Sequence, residues 1–320
     1  MDNGIHIEAS FIEKENNFNE LVSALKDAFS NKNTIVPMRQ HYDFPNPKVN
    51  ADSSLLFMPA WNPSEDAGIK IITVSPENGQ FNLPAIQGSY IYLDAVNGRV
   101  KATLDAKNLT AKRTAAASAL ASSFLSRKEA NSLLMIGTGA LSSNLIKAHA
   151  SVRPISEVYV WGRNFDKAKA VCDKLGGERF NVYPVETIEE KISEVDIISS
   201  ATLSKTPLVH GKYLKPGQHI DLVGAYKKDM READNNTIAN ASVFVDTYEG
   251  GLKESGDIVI PLETGIINAS DIKADLFELC SNQVSGRGDE KEITVFKSVG
   301  HALEDLVAAR YYYEKFTHGK

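Results

Sequence analysis

The stretch Leu133–Ala150, LLMIGTGALSSNLIKAHA, constrains the fold more than any other part of the chain. Apolar residues lead into a turn of the form G-x-G-x-x-S, from Gly137 and Gly139 to Ser142, and a segment with helical spacing follows. In such a strand–turn–helix unit the first glycine makes the tight turn, the second lets a pyrophosphate approach, and the third position needs only a small residue. The start of the helix offers free N–H groups to phosphate. The sequence predicts a dinucleotide site here rather than a turn without a ligand.

The second half of the chain alternates short apolar runs with helical segments. The predicted strands are LLMIG, EVYVWG, VDIISSA, HIDLVGA and SVFVDT, and the predicted helices between the first of them are SSNLIKAHAS and FDKAKAVCDKL. Buried strands that alternate with helices indicate a parallel, doubly wound α/β sheet.

The first half has a different pattern. The runs SLLFMPAW, GIKIITV and GSYIYLD are separated by the turn sequences EDAG, PENG and NG, which predicts a mostly antiparallel sheet. Helices are predicted before it at Phe18–Ser30, after it at Leu109–Ser126, and at the end of the chain in GHALEDLVAARYYYEKF. A chain of 320 residues is too long for one ordinary core, so we expect two domains, of the α/β and α+β classes.

Composition excludes several partners. The net charge is −6 and no Lys/Arg run occurs, so neither nucleic acid nor a membrane surface is an expected partner. No apolar run approaches the roughly 20 residues of a membrane helix, and the N-terminus does not resemble a signal peptide. Two cysteines are too few for a disulfide framework or a metal cluster, so we expect no metal and a cytoplasmic location.

The end of the second predicted strand, VYVWGRN, indicates the type of dinucleotide. NAD sites usually have Asp or Glu there to bind the ribose hydroxyls, whereas this chain has Arg163 and Asn164. A guanidinium can pair with a 2′-phosphate, which favours NADPH. The alternative is a solvated surface arginine, and use of NADH stays open because nothing obvious excludes it.

Three isolated cations stand in apolar surroundings in the first half. Arg39 follows IVPM, Lys70 lies inside GIKIITV, and Arg113 lies in TAKRTAAASALAS. A cation among apolar neighbours is costly unless an anion pairs with it. If the three converge they form a pocket for a carboxylate, and otherwise each belongs to a structural salt bridge.

Seven blocks in order, from MPAW through LTAKRTAAASALA and LLMIGTGALSSN to FKSVGHALEDL, resemble the ornithine cyclodeaminase/mu-crystallin family. The resemblance implies a homodimer and a Rossmann domain at 113–299. It implies a substrate-binding and dimerisation domain at 1–112, completed by a C-terminal helix at 300–320. By the resemblance Arg39, Lys70 and Arg113 bind a substrate carboxylate, with Gln87 and Tyr226 as neighbours. The implied dinucleotide-binding residues, with Gly137 and Gly139, are Ala140, Leu141, Arg163, Asn164, Thr202, Val223, Gly224 and Ser298.

The family contains several activities, and three positions favour one of them. Ornithine cyclodeaminases have an Asp where this chain has Tyr226, an acid at the end of the second strand where it has Arg163, and Thr where it has Ala85. A phenol is a poor base at neutral pH. The segment GAYKKDMRE resembles bacterial Δ1-pyrroline-2-carboxylate reductases, which also take Δ1-piperideine-2-carboxylate and belong to hydroxyproline or lysine catabolism.

We therefore expect an NADPH-favouring ketimine reductase that makes L-proline or L-pipecolate from the cyclic imino acid, with Lys70, Arg113 and Tyr226 as catalytic residues. The alternatives are an ornithine cyclodeaminase, an alanine-dehydrogenase-type enzyme, and a crystallin-like protein that binds NADPH without turnover.

Overall fold

The computed structural model describes residues 4–319, which form two compact units. Unit 1 contains residues 4–113 and 302–319, and unit 2 contains residues 114–301. The division falls inside the long helix α3 (Ala106–Leu125). No helix within residues 4–319 is both long enough and apolar enough to cross a membrane.

Unit 1 is built on a six-stranded sheet with the spatial order β1-β6-β5-β4-β3-β2. Neighbouring strands are antiparallel, as predicted, except that β1 runs parallel to β6. The strands are β1 (Ile5–Ile7), β2 (Gln40–Asn46), β3 (Ala51–Asn62), β4 (Asp66–Val74), β5 (Ile86–Asp94) and β6 (Val100–Asp105). The helices, besides the first part of α3, are α1 (Ala9–Glu15), α2 (Phe18–Asn31) and α10 (Ala302–His318).

Helix α10 packs against α2 and against β3, β4 and β5. The helix is fixed to the sheet by Arg310, whose Nε and Nη2 donate to the two oxygens of Asp66 at 2.7 and 2.8 Å. Asp66 also accepts from Tyr92 Oη at 2.9 Å, so this buried carboxylate is well satisfied. The predicted turn EDAG is wrong by two residues, because β4 begins at Asp66 and the turn lies at 63–65.

Unit 2 is built on an eight-stranded, fully parallel sheet with the order β13-β12-β14-β11-β10-β7-β8-β9. The strands are β7 (Ser132–Ile136), β8 (Glu157–Trp161), β9 (Asn181–Pro184), β10 (Ile197–Ser200), β11 (His219–Leu222), β12 (Ser242–Val245), β13 (Ile272–Asp275) and β14 (Thr294–Lys297). The helices are α4 (Ser142–Val152), α5 (Phe165–Lys174), α6 (Asn235–Ala239), α7 (Tyr248–Gly251), α8 (Gly256–Glu263) and α9 (Leu276–Cys280).

The predicted α/β class with a doubly wound parallel sheet is confirmed, but the five predicted strands are too few. Strands β9, β13 and β14 were missed, although β10, β11 and β12, which also have four residues each, were predicted. The order of the strands reverses between β7 and β10, since the chain proceeds from β7 to β8 on one side and from β10 to β11 on the other. Such a switch point opens a crevice at the carboxyl ends of the strands, where ligands bind in sheets of this type.

Candidate functional site

The glycine turn lies at the carboxyl end of β7, beside the switch point. Gly137 has a φ of +124°, and a Cβ there would lie 2.7 Å from the carbonyl oxygen of Ala201. Only glycine fits this conformation and this close approach. A Cβ built on Gly139 meets nothing within 4 Å, so the backbone at that position borders open space. Ser142 is buried and donates from Oγ to the carbonyl of Gly137 at 2.8 Å, which ties the first turn of α4 to the glycine turn.

A cavity of about 550 Å³ opens beside this turn. Five of the predicted dinucleotide residues line it: Gly137, Gly139, Arg163, Asn164 and Thr202. The others lie outside the lining, in the segments that follow β7, β11 and β14: Ala140, Leu141, Val223, Gly224 and Ser298. The volume and the open backbone at Gly139 fit part of a dinucleotide, with its phosphates at the glycine turn.

The lining contains two cations and no carboxylate within the described residues. Arg163 is exposed, just after β8. Asn164 is the N-cap of α5, and its side chain accepts from the amide of Lys167 at 3.1 Å. Lys167 lines the same cavity one helical turn further on, and sequence reasoning missed it. The segment GRNFDK contained the signal, because Lys167 follows Arg163 by four residues and lies in the first turn of the helix that Asn164 caps.

In unit 1, Lys70 and Arg113 lie in one buried cluster with two acids. Lys70 is 3% exposed, and its Nζ lies 3.0 and 2.8 Å from the two oxygens of Asp305. Arg113 is 4% exposed and donates from Nε to Asp305 at 2.9 Å and from Nη1 to Glu304 at 2.6 Å. Both acids lie in the sequence segment GHALEDL, for which no role of Glu304 or Asp305 was predicted. The salt-bridge alternative therefore holds for both cations.

The ion pairs leave donors over for a ligand. An ammonium has three N–H donors, and Lys70 uses two of them, on Asp305 Oδ1 at 3.0 Å and on Thr110 Oγ1 at 3.5 Å. The two hydrogen bonds of Arg113 use two of the five donors of its guanidinium. Both side chains can therefore bind a further anion without giving up Asp305.

The charges in this cluster perturb one another. Burial lowers the pKa of Lys70 to about 8, against the opposing charge of Asp305, and the positive charges of Arg113 and Arg39 lower it further. Burial opposes ionisation of Asp305, but Arg113 and Lys70 hold its pKa below the usual range. Arg39 thus lies within electrostatic reach of Lys70.

Of the remaining candidates, Gln87 and Tyr226 are exposed, whereas Ser298 is buried. Gln87 is an exposed residue of β5, opposite Thr73 in the register of β4. Tyr226 is 39% exposed, with Lys227 Nζ 5.7 Å from the centre of its ring. Ser298 is buried, and its Oγ lies 3.3 Å from Asp246 Oδ2, so its hydroxyl proton is engaged while its lone pairs remain available.

Comparisons with known proteins were made over the whole chain. Residues 5–320 match the model of the ornithine cyclodeaminase/mu-crystallin family. The Delta(1)-pyrroline-2-carboxylate reductase of Colwellia psychrerythraea is 38% identical over 317 residues, 97% of this chain and 98% of that protein. The Thermococcus litoralis Delta(1)-pyrroline-2-carboxylate reductase, solved with NADH and L-proline, has a TM-score of 0.90 at 33% identity and covers 98% of both chains. An archaeal alanine dehydrogenase dimer with bound NAD has a TM-score of 0.89 at 25% identity, covering 99% of this chain and 97% of that one.

Proposed function

The chain belongs to the ornithine cyclodeaminase/mu-crystallin family, as its sequence blocks predicted, and we propose that it is an NAD(P)H-dependent reductase of cyclic α-imino acids. The similar Delta(1)-pyrroline-2-carboxylate reductases of Colwellia psychrerythraea and Thermococcus litoralis support that assignment. The substrates are Δ1-pyrroline-2-carboxylate and Δ1-piperideine-2-carboxylate, and the products are L-proline and L-pipecolate. The bound nicotinamide supplies the hydride that, with one proton, converts the C=N bond into CH–NH.

NADPH is the favoured cofactor in this proposal. Arg163 and Lys167 give the cavity two positive charges at the end of β8, and the cavity has no carboxylate among its described lining residues. A 2′-phosphate is attracted by this arrangement, whereas the ribose hydroxyls of NADH find no carboxylate to donate to. Ser298 accepts from the amide of the nicotinamide, because its own proton is directed at Asp246.

Arg39, Lys70 and Arg113 bind the carboxylate of the substrate. Fixing the carboxylate orients the ring and its C=N bond, and orientation contributes a large part of the rate of such a reaction. Lys70 is the proton source in this proposal, since its pKa of about 8 leaves it protonated at neutral pH and more acidic than an ordinary lysine.

One observation separates this activity from the lyase activity of the family. Position 226, where the resemblance puts the aspartate of the cyclodeaminases, is a partly exposed tyrosine. Asp229 nearby forms an ion pair with Lys205 at 2.7 Å and is largely exposed. A phenol does not accept the protons of the substrate amines at neutral pH, so the lyase cycle lacks its base. A crystallin-like binding protein is disfavoured because the cation cluster is intact.

The test is an assay of NADPH oxidation with purified protein. The two cyclic imino acids are compared with pyruvate plus ammonia, and L-ornithine is assayed separately with catalytic NAD. Rapid oxidation with the cyclic substrates alone supports the proposal. Equal or faster turnover of pyruvate plus ammonia favours the alanine-dehydrogenase-type alternative, and proline formation from ornithine favours the cyclodeaminase.

A homodimer is the proposed assembly. Strand β2 is exposed on both faces along nearly its whole length, and it is an edge strand of the unit 1 sheet. Tyr42 is 54% exposed and Phe44 is 44% exposed on one face of it. Free edges with aromatic side chains are normally covered by another chain. The dimeric state of the similar alanine dehydrogenase supports a second copy of this chain as that cover.

Light scattering after size-exclusion chromatography tests the dimer. Phe44→Asp should shift the mass from dimer to monomer. Val96→Asp is the matched control, because Val96 is also an exposed apolar residue of unit 1, in the turn after β5, but lies outside the β2 edge. A monomeric unaltered protein refutes the proposal, and so does a dimer that Phe44→Asp leaves intact.

The proposed location is the cytoplasm. Cys172 and Cys280 are both buried and form no disulfide bond. A reducing compartment keeps thiols in this state and has the nicotinamide pools that a metabolic reductase needs. Fluorescence microscopy of the tagged full chain, with a cytoplasmic marker, tests this location.

A further inference from the structure

Glu232 is a fully buried carboxylate that receives five hydrogen bonds. Its Oε1 accepts from Ser200 Oγ at 2.6 Å and from the N and Oγ1 of Thr202 at 2.7 and 2.8 Å. Its Oε2 accepts from the amides of Gly224 and Ala225 at 2.6 and 3.1 Å. The two oxygens thus divide their donors between two segments of the chain.

These two segments leave adjacent strands at the carboxyl edge of the sheet. Strand β10 ends at Ser200 and β11 ends at Leu222. The segments touch, since a Cβ on Gly224 would lie 2.1 Å from both N and O of Thr202. Where two backbone segments touch in this way, no side chain lies between them to set the distance from one segment to the other. The carboxylate of Glu232 supplies the acceptors for both sides and fixes the two segments relative to each other.

A second buried layer holds Glu232 itself. Asp257 Oδ1 accepts from the amide of Glu232 at 2.6 Å, and its Oδ2 lies 3.2 Å from Lys297 Nζ. Both side chains are fully buried. Lys297 is the last residue of β14 and precedes Ser298, so the network continues to a third strand end. Burial raises the pKa of Glu232, and the positive charge of Lys297 opposes that effect.

We infer that Glu232 is a positioning residue for the dinucleotide: its carboxylate holds the segments after β10 and β11 in the spacing that the cofactor requires. The inference rests on the proposed function, which assigns Thr202 and Gly224 to the cofactor site. Glu232 itself does not line the cavity. Its effect therefore passes through the backbone amides that it accepts from.

Glu232→Gln tests this inference with almost no change of shape. A glutamine amide has one acceptor oxygen and one NH2 donor. Whichever way the amide is turned, the NH2 faces backbone N–H groups, and one of the two segments loses its acceptor. Calorimetry should show the Kd for NADPH rising at least about tenfold. The KM for the imino acid at saturating NADPH should stay within about threefold, because the cations of unit 1 are untouched.

Asp196→Asn is the matched control. Asp196 also bridges several groups, since its Oδ2 accepts from the amides of Asn131 and Ser132 at 2.9 and 3.2 Å and its Oδ1 pairs with Arg127. It lies just before β10 and beside the start of β7, at the amino edge of the sheet. Asp196→Asn should lower the stability of the protein without changing its Kd for NADPH. An equal rise in Kd for both variants would reduce Glu232 to a general stabilising role and overturn the inference.

Hydrogen exchange of the unaltered protein keeps the test decisive if Glu232→Gln does not fold. The amides of Thr202, Gly224 and Ala225 should exchange at least about a hundredfold more slowly than free peptide amides, since each donates to the carboxylate. Unprotected amides refute the inference. An unaltered protein that binds neither NADPH nor NADH refutes the cofactor assignment as well. Normal binding that Glu232→Gln leaves unchanged refutes the positioning role alone.

Discussion

Reversal of the charge at Arg163 is the sharpest test of the cofactor preference. Arg163 lines the cavity, is exposed, and has no ion-pair partner within residues 4–319. Its replacement therefore removes no internal contact of the fold, and the thermal midpoint should stay unchanged. Any effect on binding can be assigned to the lost interaction with the cofactor.

The expected size follows from the exposure of the side chain. Two unit charges about 4 Å apart attract by about 1 kcal/mol in water-like surroundings. Arg163→Ala should lose about this much, a roughly fivefold increase in the Kd for NADPH. Arg163→Asp also adds a repulsion of similar size, so about 2 kcal/mol and a roughly thirtyfold increase are expected. The Kd for NADH should change less than about twofold, because NADH has no 2′-phosphate.

Calorimetric titration of each variant with both cofactors, at low and high salt, measures these values. Lys167→Asp should resemble Arg163→Asp, since Lys167 lines the same cavity. Lys169→Asp is the control: it makes the same charge change in the same helix at an exposed residue outside the lining. Salt should reduce the difference between the cofactors. Parallel losses of NADPH and NADH affinity in Arg163→Asp would refute a contact with the phosphate.

Three further predictions concern the substrate. Since the pKa of Lys70 is about 8, kcat/KM should fall as the pH rises through 8, because the ammonium that binds the carboxylate and supplies the proton is lost. Lys70→Arg should abolish this fall, and a flat profile of the unaltered enzyme between pH 7 and 9.5 contradicts the assignment. Arg113→Ala should lower kcat/KM by on the order of 10²-fold or more with little change in NADPH affinity. Lys112→Ala, which removes the neighbouring buried cation, is the control. A comparable loss of kcat/KM in this variant would show that the effect of Arg113→Ala is merely structural. Tyr226→Phe should retain substantial reductase activity, whereas a large loss would give the hydroxyl a role in protonating the imine.

Sequence patterns predicted the helices around the glycine turn and most strands of the parallel sheet. The helices around the glycine turn and the apolar strands β7, β8, β10, β11 and β12 lie where the pattern put them. Strand β2, QHYDFPN, was missed because it is polar and contains Pro45, and neither face of it is buried. Strands β13 and β14 have four residues each and pair with strands that are distant in sequence. Their existence depends on the sheet rather than on their own composition.

The residues of the candidate sites also divide into those that a local pattern predicts and those that only the fold brings together. The position of Arg163 beside the cavity was predictable because it depends on a local unit of strand, turn and helix. The partners of Lys70 and Arg113 were not, since Asp305 is 235 and 192 residues away from them in the chain. Only the packing of α10 on the sheet brings these charges together. The substrate site of three cations stays a prediction, to which the structure adds the two acids.

Asp305 and Glu304 explain how two cations can be buried in unit 1. Two cations buried without anions would destabilise the protein whenever substrate is absent, because desolvation of a charge costs several kcal/mol. Asp305 and Glu304 neutralise Lys70 and Arg113 permanently, so the cluster is stable without a ligand.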